Sequence, residues 1–285
     1  METGKHYVVQ RYLARPYLIE GLKFDLRIYV LLAGTDPLRL YMYHEGLARF
    51  ATELYHEPLN ANLDRLCMHL TNYAINKHNR NFIFNTSDKN MGIGHKRSLT
   101  AVFKQMADKG MDVPALKERI KAIIIKTIIS GLPLMSHQYK FSQPEDYSGN
   151  MCFHILGLDV MINNKGDPYV IEVNHTPSFT TDTPLDHKIK HGLIKDTLQL
   201  MNINVKQKTE LYNRCKEYNT DRLLTGKRHI YEGAEREEKI KEAQQARDKY
   251  EKKHLGGYEK IYPSEDAELN LKYEEMIGTA NQIYM

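Results

Sequence analysis

The amino-acid sequence predicts an α+β fold in which an antiparallel sheet packs against helices and is followed by a basic, partly helical tail. Three features indicate this fold. Short runs rich in Val, Leu, Ile and Tyr alternate with turn residues near the amino terminus, which is typical of strands. Two apolar runs flank a polar turn between residues 153 and 174, as in a hairpin. Longer segments carry apolar residues every three or four positions, as amphipathic helices do.

The first part of the chain is predicted to consist of strands joined by turns. Composition favours strands at residues 7–12, 25–32 and 38–43, and residues 34–37 contain the Gly and Pro of a turn. Residues 79–94 are rich in Asn, Ser, Asp and Gly, so we expect a loop that leads into a helix from about Leu99.

Helices are predicted in the second part of the chain. Pro114 opens a helix that runs to about Gly131, and residues 184–203 form another. Beyond residue 205, Lys, Arg, Glu, Gln and Tyr dominate, and only residues 235–253 indicate a helix. We therefore predict one domain over residues 1–204 and a basic tail over residues 205–285.

Composition argues against several classes of protein. A net charge of +4 is too modest for the basic footprint of a nucleic-acid-binding protein. Three widely spaced cysteines predict neither a disulfide framework nor a metal knuckle, which fits a reducing, cytoplasmic setting. The best apolar run, residues 123–129, is short and broken by Lys126, and residues 1–10 lack the apolar core of a signal peptide. We expect neither a nucleic-acid nor a membrane partner.

The predicted hairpin brings two carboxylates together. Strand side chains alternate between faces, so Glu172 and Asn174 share a face. With the turn centred on Lys165 and Gly166, Asp159 lies across from Glu172, and facing Cβ atoms are roughly 5 Å apart. Facing carboxylates repel unless a cation neutralises them, and Mg²⁺ prefers carboxylate, amide and phosphate oxygens. Either these groups bind Mg²⁺ or they lie on a solvated edge; the apolar character of both strands favours the metal.

A second group of charged side chains lies at positions 23 to 27. Alternation places Lys23, Asp25 and Arg27 on one face of a strand. An ordinary ladder of ion pairs explains this pattern, but the strand continues into a buried-looking run, where charges need defined partners such as a triphosphate. Arg49, after a later strand, is a further candidate because guanidinium groups bind phosphate and carboxylate bidentately.

The segment from His69 to Asn72 contains short polar side chains. Thr71 or Asn72 fits the N-cap of a helix, and the same groups fit hydrogen bonds to a ligand. Without further information the cap is favoured.

Taken in order, five motifs closely resemble the tubulin tyrosine ligase-like enzymes over residues 7–203: VVQRYL, KFDLR, YHEGLARFAT, HLTNYAIN and ILGLDV…YVIEVNHTPSFTTD. The form EVNHTPSF is similar to the glutamylating branch. The resemblance implies an ATP-grasp-like fold, with ATP and Mg²⁺ as cofactors. It also implies that a tubulin glutamate or a growing glutamate chain is activated as an acyl phosphate and attacked by free L-glutamate.

The resemblance further implies roles for individual residues. Arg27 and Arg49 match positions near the γ-phosphate and the reacting carboxylate. The implied nucleotide contacts are Gln10, Arg11, Tyr12, Leu13, Lys23, Asp25, Thr71 and Asn72. The implied magnesium ligands are Asp159, Glu172 and Asn174, whereas His175 and Arg49 would contact the incoming amino acid.

The start of the chain departs from the family pattern. Family members carry further nucleotide-binding lysines and a glycine-rich segment before VVQRYL, whereas Met1 precedes that motif by only a few residues. We therefore expect half of the ATP clamp to be absent. This departure favours one alternative to a glutamate ligase, a catalytically inactive fragment that binds microtubules. A separate alternative keeps the enzyme and replaces glutamate with glycine.

The tail is rich in basic residues between positions 206 and 228. The basic residues are Lys206, Lys208, Arg214, Lys216, Arg222, Lys227 and Arg228, against Glu210, Glu217 and Asp221. Such a segment is attracted to acidic surfaces, which fits the acidic C-terminal tails of tubulin, or it is simply solvated. We expect a monomer that acts on microtubules in the cytoplasm and cytoskeleton, including the cilium or basal body.

Overall fold

The computed structural model describes residues 4, 8–86, 91–144, 146–203, 205–226 and 233–284. The strands are β1 Leu18–Ile19, β2 Leu22–Thr35, β3 Leu38–Phe50, β4 Lys96–Ser98, β5 His154–Ile162, β6 Pro168–Asn174 and β7 Tyr258–Tyr262. The helices are α1 Leu66–His69, α2 Tyr73–Asn76, α3 Leu99–Asp108, α4 Val113–Ser142, α5 Pro184–Leu200, α6 Val205–Thr225, α7 Gly233–Lys253 and α8 Ala267–Tyr284. The predicted α+β class is confirmed.

All the strands belong to one antiparallel sheet. Its order is β4-β3-β2-β5-β6, with β1 paired to β2 and β7 paired to β3. The predicted strands at 25–32 and 38–43 are confirmed as parts of the long β2–β3 hairpin, which turns at Asp36 and Pro37. The predicted hairpin at 153–174 is confirmed as β5 and β6.

The strand predicted at residues 7–12 is wrong over the part that the structure describes, residues 8–12. These residues form no regular element, and Val8 and Val9 are 88% and 83% exposed. Their β-favouring composition is not enough, because a strand is stabilised by pairing and by burial of one face. Tyr7 lies outside the described residues.

Alternation along β2 divides the molecule into two layers. Phe24, Leu26 and Ile28 face a core that also contains apolar side chains of α3, α4 and α8. Tyr29 and Leu31 face the opposite side, where apolar residues of α5 pack. The charged residues of β2 are on this second face, because odd-numbered positions share it.

Helix α4 covers the first face of the sheet. Asp112 caps its amino end by accepting from Ala115 N, and Pro114 lies in the first turn, as predicted. The helix runs past the predicted end at Gly131 and continues through the buried Pro133. By length and composition it could cross a membrane. However, its apolar side, including Ile120 and Ile124, packs on the sheet.

Residues beyond 205 contribute to the same body as the sheet. Strand β7 pairs with β3, and Tyr273 of α8 packs edge-on against Tyr262 with ring centroids 6.0 Å apart. Neither element was predicted, since this segment is rich in charged residues. The predicted boundary near residue 205 falls at the start of α6, and the separation of α6 from the domain stays a prediction. In contrast, β7 and α8 pack with the domain predicted over residues 1–204.

Helix α7, predicted at 235–253, is held to the sheet by buried charges. Glu251 accepts hydrogen bonds from Arg39 Nη1 at 2.6 Å and from Arg247 Nε at 2.6 Å. Tyr41 OH donates to the same carboxylate at 2.5 Å, and Arg247 Nη2 donates to Ala33 O at 2.8 Å. A helix with almost no apolar surface therefore docks through one carboxylate shared by two guanidinium groups.

We expect Glu251→Ala to lower the free energy of unfolding by about 3 kcal/mol, because it leaves the buried charge of Arg247 without its carboxylate and leaves Arg39 paired with the exposed Asp248. Urea unfolding at neutral pH measures this change. Lys252→Ala, at an exposed neighbouring position, is the control and should change stability little. Equal stabilities of the Glu251 variant and the wild type would mean that α7 is not held by this network.

Candidate functional site

The register of three strands brings four charged side chains together. Asp25 and Arg27 of β2 are paired, as Cα partners, with Arg49 of β3 and Asp159 of β5, respectively. Because paired residues in an antiparallel ladder project to the same face, the two arginines and two aspartates lie next to one another.

These four side chains form a continuous hydrogen-bonded network, the arginine lattice. Arg49 Nε and Nη2 donate to the two carboxylate oxygens of Asp25, each at 2.7 Å. Arg27 is bound in the same bidentate way by Asp159, with Nη2 3.0 Å from Oδ2. Arg49 Nη2 also donates to Asp159 Oδ2 at 2.6 Å, which joins the two pairs, and Thr71 Oγ1 donates to Asp25.

One nitrogen of each arginine is left over by this lattice. Among the described residues, no group accepts a hydrogen bond from Nη1 of Arg27 or of Arg49. The carboxylates therefore fix both guanidinium groups in position while leaving donors for an anionic ligand.

Burial and charge act in opposite directions on this lattice. Burial raises the pKa of the Asp159 carboxyl, but the hydrogen bonds and charges of Arg27 and Arg49 outweigh it and hold that pKa below its ordinary value. Burial likewise lowers the pKa of Arg49, and the carboxylates of Asp25 and Asp159 more than restore it. Asp159 and Arg49 are thus both ionised at neutral pH.

Gly157 allows Arg27 to lie across β5. A Cβ atom at this position would approach Arg27 Cδ to 3.0 Å and Pro177 Cβ to 2.9 Å. Any larger residue would displace the guanidinium group or the segment after β6.

The predicted opposition of Asp159 and Glu172 is confirmed. However, Ile162 pairs with Pro168, so the turn is centred on Lys165 alone. Because Val160 pairs with Val170 while Asp159 pairs with Glu172, one extra residue, Ile171, forms a β-bulge that restores the register at the carboxylates.

The three predicted magnesium ligands lie close together on this hairpin but differ in their surroundings. Asp159 is buried against the arginines, Glu172 is exposed, and Asn174 Nδ2 donates to Gly157 O at 3.2 Å. Within the described residues, no group of three or more His, Cys, Asp or Glu side chains is arranged to hold a metal. Two carboxylates and one amide oxygen fit Mg²⁺, which takes its other ligands from water and phosphate.

A buried lysine forms a second part of the site. Lys23 is 3% exposed, and its ammonium group donates to His69 O at 2.7 Å and to Tyr12 OH at 2.9 Å. Tyr12 OH is also 2.9 Å from His69 Nδ1. Burial lowers the pKa of Lys23 to about 8, partly opposed by the charge of Asp25, and burial raises the pKa of Tyr12.

The remaining predicted nucleotide residues flank Tyr12 and Thr71 along the chain. Gln10 and Arg11 are exposed, and Leu13 is half-buried. The side-chain oxygen of Asn72 accepts a hydrogen bond from Ala74 N at 2.8 Å. Asn72 is therefore the N-cap of α2, which is one of the two roles predicted for this segment.

His175, predicted to contact the incoming amino acid, is exposed, and its carbonyl oxygen accepts a hydrogen bond from His154. No measured contact joins its side chain to the arginine lattice within the described part of the chain. Its assignment to the amino-acid substrate therefore stays a prediction.

Sequence reasoning missed a cluster at the edge of the site. Lys96, the strand partner of Arg49, donates to Asp186 Oδ2 at 2.8 Å and lies 3.9 Å from the ring centroid of Tyr73. Lys190 lies beside it, 3.7 Å from Asp186 Oδ1. The only sequence signal was the basic pair before the predicted helix at Leu99, which by itself does not distinguish a buried lysine from a surface one.

The chain is similar to known proteins over most of its length. A family model described as the tubulin-tyrosine ligase family matches residues 1–253. The chain is 57% identical over 268 residues to a protein named probable beta-tubulin polyglutamylase from Tetrahymena thermophila, covering 94% of this chain and 22% of that protein. It is 40% identical over 284 residues to tubulin polyglutamylase ttll6 of Danio rerio, covering 100% of this chain and 36% of that protein.

A third relative, tubulin polyglutamylase TTLL13 of Mus musculus, is 42% identical over 273 residues, which cover 94% of this chain and 33% of that protein. The chain thus spans between 22% and 36% of the length of these three curated relatives. The family match extends through α6 and α7, past the predicted division at residue 205.

Lys23 should make stability depend on pH. Its folded pKa of about 8 lies below the ordinary 10.5, so between these values the unfolded chain binds more protons than the folded one. We expect the free energy of unfolding of the wild type, relative to Lys23→Met, to rise as pH increases from about 8 to 10.5. Urea unfolding across this range tests it. Lys126→Met removes a lysine from an exposed position and is the control for the loss of one charge. A difference in stability between the wild type and Lys23→Met that does not change with pH would contradict the lowered pKa of Lys23.

Proposed function

Because this chain belongs to the tubulin-tyrosine ligase family, we propose that it holds the phosphates and the reacting carboxylate in an ATP-dependent ligase that adds L-glutamate to tubulin. The observation that carries the proposal is the pair of guanidinium groups of Arg27 and Arg49, fixed by carboxylates with one nitrogen each left for an anion. The names of the relatives support tubulin as the acceptor and glutamate as the added group.

In the proposed reaction ATP supplies a phosphoryl group to an acceptor carboxylate, and the amine of glutamate then displaces phosphate to form an amide. Arg27 and Arg49 stabilise negative charge on the transferring group. They act without reorganisation, because Asp25 and Asp159 already hold their planes in position. Thr71, which bonds Asp25, is a positioning residue for Arg49.

The other polar groups fit the rest of the nucleotide. Asp159, Glu172 and Asn174 would hold Mg²⁺, which offsets phosphate charge. Lys23, which is buried and, within the described residues, bonded to neutral oxygens, supplies a cation for a phosphate, and Tyr12 belongs to the segment proposed to contact adenine. Gln10, Arg11, Leu13 and Asn72 complete the proposed nucleotide contacts, and His175 is proposed to contact glutamate.

The decisive experiment incubates this chain with tubulin, ATP, Mg²⁺ and isotopically labelled glutamate, followed by mass spectrometry of the tubulin tails. We expect labelled glutamate on tubulin in the wild type and at least about a hundredfold less with Glu172→Gln, because a metal ligand is lost. Glu237→Gln, exposed on α7, is the matched control and should retain activity.

Nucleotide binding gives a second readout for the same variants. Glu172→Gln should weaken Mg²⁺-dependent binding of a fluorescent ATP analogue while leaving the folded structure unchanged, since the side chain is exposed. Full turnover by Glu172→Gln would remove it from the metal site. A parallel incubation with labelled glycine tests the alternative amino acid: label from glycine and none from glutamate would change the proposed amino acid. No labelled product from either amino acid would overturn the proposal for this chain.

Helix α6 is proposed to hold the enzyme on microtubules in the cytoplasm, as a cytoskeletal and ciliary protein. Lys206, Lys216 and Arg222 are exposed on it. Arg214, by contrast, is half-buried over the ring of Tyr147 at 5.4 Å and serves to dock the helix. Lys227, Arg228 and the side chain of Lys208 lie outside the described residues.

We expect microtubule binding to fall steeply with salt, because exposed charges are screened beyond roughly 8 Å at physiological ionic strength. Replacing Lys206, Lys216 and Arg222 together by Glu should lower co-sedimentation with microtubules at least about tenfold at low salt. Microtubules whose acidic tails have been removed by a protease provide the control and should bind as weakly. Unchanged binding by the triple variant would make α6 a solvated helix.

A further inference from the structure

The solvent side of α5 carries a stripe of basic side chains. Its apolar side packs under the sheet through Leu185, Ile189 and Leu193. The opposite side exposes His187, His191 and Lys195, which follow one another at intervals of four, and Lys188, which precedes His191 by three positions. Residues at these spacings lie along one face of a helix, so the four side chains form a line.

The acidic residues of α5 are bound to groups within the fold. Asp186 is fully buried and bonded to Lys96. Asp196 is half-buried and accepts from Gly257 N at 2.9 Å and from Tyr43 OH at 3.2 Å. A solvated helix face normally mixes both charge signs, which support one another as ion pairs. Here both carboxylates accept hydrogen bonds from internal groups, although that of Asp196 also borders the depression along which the stripe lies.

The stripe lies along a shallow depression. The four residues, together with Pro184, Gly192 and Asp196, line a cleft of about 710 Å³. Gly192 lets α5 lie close to β3, because a Cβ atom there would lie 2.8 Å from Tyr43 OH. The rings of His187 and His191 are stacked, with centroids 5.5 Å apart and planes 14° apart.

The amino end of α5 is linked to the arginine lattice through one buried ion pair. Helix α5 is capped by Thr183, and its first turn is bonded through Asp186 to Lys96, the strand partner of Arg49. Asp182, exposed just before the helix, is the acidic group near this end, and its charge acts on Tyr73 and Lys190. From His187 to Lys195 the helix rises roughly 12 Å, about the length of four residues of extended chain.

We propose that this face of α5 is a docking surface for an extended acidic polypeptide, whose end it directs toward Arg27 and Arg49. The charge of Lys188 and Lys195, and the capacity of both histidines to donate to carboxylates, fit a run of Glu or Asp side chains. The identification of that polypeptide as the acceptor of glutamate rests on the proposed function. The docking surface itself depends only on the chemistry of α5.

The test is binding of fluorescein-labelled deca-glutamate to the 285-residue chain, measured by fluorescence anisotropy at low salt. We expect Lys188→Glu/Lys195→Glu to weaken binding at least about tenfold. Lys104→Glu/Lys126→Glu is the matched control, because it makes the same change in charge at exposed positions of α3 and α4, on the other face of the sheet. The control should bind within about twofold of the wild type.

Cross-linking locates the peptide independently of the variants. A carbodiimide joins peptide carboxylates to nearby amines, and we expect peptide mass spectrometry to find the products on Lys188 and Lys195. Equal weakening by the control variant, or cross-links only on α6, would overturn the proposal. If the double variant loses cooperative unfolding, Lys188→Gln/Lys195→Gln replaces it and is expected to weaken binding in the same direction.

Glutamate transfer to tubulin is scored separately, so the two proposals can fail independently. Transfer by a wild-type chain that does not bind deca-glutamate would overturn the docking surface and leave the ligase function standing. Binding that depends on Lys188 and Lys195, without any transfer, would support the docking surface and count against the ligase function.

Discussion

The carboxylate of Asp159 is the interaction on which the site depends. It receives hydrogen bonds from Arg27 on one neighbouring strand and from Arg49 on the strand beyond, so a single group ties three strands together. Because the carboxylate is buried, its charge is tolerated only with both arginines present. The same burial keeps both guanidinium groups in one orientation. The site is therefore preorganised by an ion-pair lattice, with little contribution from loops.

This lattice depends in turn on how the sheet divides its two faces. Even-numbered positions of β2 fill an apolar core under α3 and α4, which leaves the odd-numbered positions free to carry charge. Further along, the second face is closed by α5 and by α7, which docks through Glu251. A helix rich in charged residues can close a sheet because its few buried charges are fully paired. The basic stripe of α5 is the outer side of this layer.

Particular residues illustrate how far sequence reasoning reached. The alternation of Lys23, Asp25 and Arg27, and the opposition of Asp159 and Glu172, were predicted from the period of a strand and from a turn. The bulge at Ile171 was not predicted. It is needed for that opposition because the turn is centred on Lys165 and not between Lys165 and Gly166, as predicted. Residues 8–12 had the composition of a strand but no strand to pair with in the described sheet. Strand pairing is a non-local property, which composition does not record.

The sequence by itself determined which side chains share a face, where the main hairpins and helices lie, and the family to which the chain is similar. These properties follow from local periodicity and from the order of motifs along the chain. Tertiary structure alone decided that Asp159 is shared by two arginines, that Lys23 is held by His69, and that β7 and α8 join the sheet and its core. The partners in these contacts are tens to hundreds of residues apart. Only burial of the whole chain brings them together, and burial then makes their pairing obligatory.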